Sequence, residues 1–108
     1  MDTEGFTTGT TEAHRIAIKQ DYALLMKILD LDPALANTKD DNGWTPLHEA
    51  VLRNSEAIIE LLIESGADVN AVTNFGETAL NLAKQYKGEN HSTFHLLQSH
   101  GGKLRSEL

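Results

Sequence analysis

Apolar residues along this chain fall in short stripes at helical spacing, parted by polar turns. Ala13 to Gln20 turns Ile16, Ala17 and Ile18 toward one side, and Asp21 breaks it. Ala23 to Leu31 places Leu24, Leu25, Ile28 and Leu29 on a second helix, which Asp32-Pro33 ends because the residue before proline avoids the helical region. An extended Ala34 to Asn37 is expected next, then a polar turn over 39–43. In the middle of the chain Thr45 is placed to cap a helix, with Pro46 at its first position, where the missing N–H costs nothing. Leu47, Ala50 and Val51 line that short helix, and Asn54 stops it. Glu56 to Ser65 forms the next helix through Ile58, Ile59, Leu61, Leu62 and Ile63, and Gly66 supplies a left-handed cap. Asp68 to Ala71 leads to a turn at Asn74-Phe75-Gly76, and two more helices follow, the last capped by Gly101.

The stripes repeat with a fixed period. Gly43, Thr45, Leu47 and Ala50 each find an identical residue 33 positions on, at Gly76, Thr78, Leu80 and Ala83. Backwards by the same step, Ala17 falls on Ala50, Ile28-Leu29 on Leu61-Leu62 and Asn37 on Asn70. Asp21 and Asn54 then align at the break between helices, where a residue tolerant of positive φ is expected. In the last unit two residues are inserted around 87–90: Ala50 precedes Leu61 by 11 positions, Ala83 precedes Leu96 by 13. A period of this length marks stacked units, each hiding an apolar face against the next and together offering an extended surface.

Composition narrows the function. The chain has 108 residues and a formal charge of −7. Such a balance opposes binding to nucleic acid or to an anionic membrane and favours a partner with a basic surface. There is no cysteine, so disulfides, thiolate metal sites and cysteine nucleophiles are excluded. Residues 1–11 are small and polar and are expected to form a disordered arm with no signal peptide. No apolar stretch reaches 18 residues. A cytoplasmic or nuclear monomer without cofactor is the expectation.

The segment Asp40 to Ala50 reads D-x-x-G-x-T-P-L-H-x-A, and Leu61-Leu62 and Gly66-Ala67-Asp68-Val69-Asn70 follow it. These residues resemble the ankyrin repeat family, and the resemblance covers about 12–108, as units near 12–39, 40–72 and 73–108. It implies an all-α solenoid of three helix-turn-helix units joined by β-hairpin-like loops. The first unit lacks Gly, Thr-Pro and Leu-His, as terminal capping repeats do. The third has Ala79 and Asn81 where the pattern has Pro and His, and its ending resembles a C-terminal cap, which suggests a complete small protein. The resemblance further implies protein–protein interaction through hairpin tips and a concave helix face. Carried over, the tips offer Asp41, Asn42 and Trp44, then Asn74, Phe75 and Glu77. The concave helices offer Lys19, Gln20, Leu52, Arg53, Gln85 and Tyr86. His48 would bond the hairpin backbone and tie units together. Asn70 stands in a pattern resembling asparagine-hydroxylation sites; its structural role would be to close its hairpin.

Other chemistry is weaker. Trp44 is either a binding aromatic or a ring lying flat across its own hairpin. His91 and His95, four apart, could approach Glu56 and Glu60 as a zinc set, yet Ser92-Thr93-Phe94 between them offers no general base. Asp40 to Gly43 resembles part of a calcium loop, but Thr38 stands where its first Asp belongs and Pro46 starts a helix inside it. No nucleophile elbow or phosphate loop is present. The expected function is a non-enzymatic protein-binding module. Self-association as a structural protein is the alternative, and a metal protein or enzyme ranks below it.

Overall fold

The structure, a computed structural model, describes residues 12–108. The expected disordered arm lies outside the described residues. Six α-helices follow one another: α1 (Glu12–Lys19), α2 (Tyr22–Leu31), α3 (Pro46–Leu52), α4 (Glu56–Glu64), α5 (Ala79–Tyr86) and α6 (Ser92–Ser99). They pair as three units. The first helices stand side by side, α3 between α1 and α5, and the second helices pack behind them. One apolar layer runs through all three units, from Ile16, Leu25 and Leu29 through Leu47, Ile59 and Leu62 to Leu80, Phe94 and Leu97. No unit hides its apolar face alone, so the core exists only in the stack.

Local chemistry sets the helix starts. Thr45 and Thr78 are buried caps, and each hydroxyl accepts the backbone N–H three residues on, from His48 and Asn81. The residue in that third position answers by accepting the cap's own N–H, with His48 Nδ1 in one unit and Asn81 Oδ1 in the other. Two orphan donors of the helix end are thereby satisfied at once.

The first unit departs from its expected alignment. The residue with positive φ between α1 and α2 is Gln20 (φ 60), not Asp21. Asp21 is instead the cap of α2, and its carboxylate accepts Leu24 N–H. Gln20 therefore corresponds to Asn54 (φ 59), a step of 34 rather than 33. In this register Ile16, not Ala17, matches Ala50. The extra residue is absorbed in α2, which has 10 residues against 9 in α4. Leu24 lies 41% exposed rather than in the core. Ala34 to Asn37, expected extended, lies in a turn of 3-10 helix, Pro33–Asn37, which proline starts readily because it lacks the donor a first turn leaves unused.

Two asparagines join the units at their C-terminal edges. Asn37 donates to Gly66 O at 2.9 Å and accepts from Asp68 N–H at 2.7 Å. Asn70 repeats this one unit on, donating to Gly101 O and accepting from Lys103 N–H. Asn70 therefore fastens the following unit and does not close its own hairpin. Asn37→Ala is expected to lower stability by about 1–2 kcal/mol in urea unfolding, through loss of two hydrogen bonds on the edge of the stack.

Candidate functional site

The fingertips are built by turn chemistry. Asp40 Oδ1 accepts the N–H groups of Asn42 and Trp44, both at 2.9 Å, while Asp40 N–H donates to Trp44 O. In the next finger Thr73 does the same work: its hydroxyl accepts from Phe75 and Glu77 N–H, and its own N–H donates to Glu77 O. The fingers then lock together. Asn74 N–H donates to Asn42 O at 2.9 Å, and the Asn74 amide donates to Asp41 O at 2.9 Å.

Two histidines hold the fingers to the helices. His48 Nδ1 accepts Thr45 N–H, so the ring proton sits on Nε2 and is donated to Glu77 O at 3.1 Å. Burial lowers the His48 pKa from 6.5 to about 4, so the ring stays neutral. His14 Nε2 donates to Trp44 O at 2.6 Å. His14 thus stands one unit before His48 in the 34-residue register, so the first unit has kept its histidine. An alignment fixed at 33 hides it.

The expected surface residues divide into exposed and committed ones. Asp41, Asn42, Asn74 and Arg53 are exposed, as are Lys19, Gln20 and Gln85. Phe75 is 72% exposed and Tyr86 55%. Glu77 is half-buried and its carbonyl serves His48; the Asn74 amide serves the neighbouring finger. Trp44 is half-buried against the core, its ring tilted 52° to His48 with centroids 5.6 Å apart. The ring is part anchor and part surface.

Trp44, Asn42 and Leu52 meet in an open cleft of about 280 Å³ between the first finger and α3. Asp40 and Glu49 complete its lining, and neither stands out from the sequence as a partner-binding residue. Asp40 reads as a turn residue and Glu49 as an ordinary surface position one turn into a helix. Only the fold of the finger over α3 brings them together. Gln85, Tyr86 and Phe75 lie outside this cleft. Burial raises the Glu49 pKa, offset in part by Arg53 and reinforced by Asp40.

The metal readings find other occupants for their donors. His91 caps α6, its Nδ1 accepting Thr93 N–H. The Glu56 carboxylate accepts from the hydroxyls of Ser92 and Thr93. Among the described residues no group of three or more His, Asp or Glu side chains is arranged to hold a metal ion. In the would-be calcium loop, Asp40 Oδ1 is spent on two backbone donors. Adding zinc is expected to leave the melting temperature unchanged in a calorimetric titration, because His91 would have to surrender a helix cap to bind it.

A family model for ankyrin repeats, in three copies, matches residues 13–106. The chain belongs to the ankyrin repeat family. Ankyrin repeats are protein–protein interaction modules, and the fold is a non-catalytic one. The human NAD-capped RNA hydrolase NUDT12 is 36% identical over 93 residues, covering 86% of this chain and 20% of that protein. The serine/threonine-protein kinase VIK of Arabidopsis thaliana is 37% identical over 86 residues, 80% of this chain and 19% of the kinase. Inversin of Gallus gallus is 34% identical over 98 residues, 91% of this chain and 9% of inversin. The chain thus spans a fifth or less of the length of these relatives. Among the described residues no helix is long and apolar enough to cross a membrane.

Proposed function

We propose that this ankyrin repeat chain is a non-enzymatic module that binds a protein with a basic surface, along its fingertips and its concave helices. The reading is carried by large aromatics held exposed on a rigid frame: Phe75 on the second fingertip, Tyr86 at the end of α5, and part of Trp44 beside the first. Exposed aromatics held in place lose little entropy on binding and dominate interface energetics. The charge of −7 supports a basic partner and a fast, salt-sensitive encounter.

Affinity capture from native lysate tests this with two variants. Phe75→Ala and Tyr86→Ala are each expected to reduce capture at least about tenfold, the scale of an interface hot spot, with melting unchanged because both side chains are exposed. Undiminished capture by both variants would remove the fingertips and α5 from the interface. Trp44→Ala is a poorer control, since its packing against the core makes it a stability variant too.

Self-association has one observation in its favour. On α2, Tyr22 and Met26, one turn apart on the same side of the helix, are 43% and 42% exposed, apolar surface that a second molecule could cover. Light scattering at two concentrations separates the readings: a mass that stays at one chain favours the monomeric module.

A further inference from the structure

We propose that the cleft between the first fingertip and α3 receives an arginine side chain supplied by the partner. This rests on the protein-binding reading above and names what one part of that surface recognises. The size of the cleft comes first. At about 280 Å³ it falls at or below the small end of ligand pockets, roughly 300–1,000 Å³, so it suits one long side chain rather than a whole small molecule.

The lining comes second. Trp44 and Leu52 supply apolar wall, Asp40 and Glu49 supply carboxylates, and Asn42 supplies an amide. Few side chains match apolar surface and paired carboxylates together. A guanidinium does, because its flat face stacks on aromatic rings while its edge carries five donors. Lysine brings a compact, strongly hydrated charge that gains less from an indole face. An apolar side chain would bury the carboxylates without a donor.

The third observation is a donor that is missing. Glu49 is half-buried, and among the described residues no hydrogen bond or ion pair reaches its carboxylate. Arg53, one turn along α3, acts on it electrostatically without making an ion pair. Burial already disfavours the Glu49 charge, so a bidentate donor arriving from outside has much to restore. Asp40 has one oxygen committed to the finger's backbone, while the other makes no hydrogen bond among the described residues.

Trp44 is the one tryptophan in the chain, so its fluorescence reports directly on the cleft. The probe is the capped tripeptide acetyl-Gly-Arg-Gly-amide, titrated through the millimolar range against the same peptide with citrulline, which has nearly the same shape and no charge. The arginine peptide is expected to shift the emission saturably, with the citrulline peptide about tenfold weaker, the loss of one charge-assisted pair. Glu49→Gln should bring the two peptides level. Glu60→Gln, which removes an exposed carboxylate from α4, should keep the difference intact. Equal binding of both peptides to the unaltered protein overturns the proposal. So does an absence of saturable change, or a loss in Glu60→Gln as large as in Glu49→Gln. Such a failure, alongside lost partner capture in Phe75→Ala, would leave the protein-binding reading standing and this inference alone refuted.

Discussion

Gly43→Ala is expected to lower the stability of this chain by about 3 kcal/mol, while the equivalent Gly76→Ala costs about 1 kcal/mol. Both glycines occupy the left-handed region, at φ +80 and +79. An L-residue there pays roughly 1–2 kcal/mol, and that cost is common to the two sites. The surroundings differ. A Cβ on Gly43 would stand 2.7 Å from Asn74 N and from Asn74 Oδ1, whereas one on Gly76 meets nothing within 4 Å. One of those two neighbours is backbone, the amide whose bond to Asn42 O joins the two fingers. Relieving the clash means breaking that bond and shifting the Asn74 side chain off Asp41 O, a further loss of about 1–3 kcal/mol. Paired urea denaturations measure the difference, and hydrogen exchange at Asn74 N–H reports its cause. Equal losses at the two glycines would show that the fingers do not support each other. Since three repeats are near the minimum for such a stack, a loss of this size is a large share of the total.

The contrast between these glycines also shows which features were legible in the sequence. Gly43 and Gly76, Thr45 and Thr78 stand out because a left-handed turn and a helix cap each accept few residue types, so the same local demand leaves the same letters 33 residues apart. The core positions of α3 and α4 were readable for a similar reason, since a buried helix face leaves an apolar stripe. The first unit was blurred by one added residue in α2, which shifts α1 against the fixed period. That shift concealed His14 and put Asp21 where Gln20 belongs. Gln20 at φ 60 carries no propensity signal for a left-handed turn; the packing of α1 and α2 on either side imposes it. The cleft was illegible for another reason. Asp40 and Glu49 are nine positions apart and each has a sufficient local explanation, so their shared cleft appears only once the finger folds back over α3. The half-burial of Trp44 likewise depends on how the finger folds onto the core, where the His48 ring lies beside it.

Acid is expected to weaken the stack through His48, by about 3 kcal/mol between pH 7 and pH 4. In the unfolded chain this histidine titrates at the ordinary 6.5, and burial lowers its pKa to about 4 in the fold. Between those values the unfolded state holds a proton that the folded state refuses, so stability falls as pH falls. The contribution is fully present above 6.5 and is lost progressively down to about 4, each pKa unit amounting to about 1.4 kcal/mol. The geometry explains the refusal. Protonating Nδ1 would set an N–H against Thr45 N–H and undo the cap of α3, in a site where the ring is 1% exposed. The raised Glu49 pKa acts with the opposite sign, since its folded form takes up a proton more readily, so it opposes the loss as pH falls. His48→Asn isolates the histidine, because the third unit already uses Asn81 to close the same capping box. The variant is expected to be less stable than the parent at pH 7, lacking the donation to Glu77 O, and to lose less on acidification. Urea unfolding of both proteins at pH 7, 5.5 and 4.5 reads the two slopes, and carboxylates elsewhere cancel in the comparison. Parallel slopes would place the acid sensitivity outside His48, and an NMR titration of its ring with a midpoint near 6.5 would refute the buried neutral tie between the second and third units.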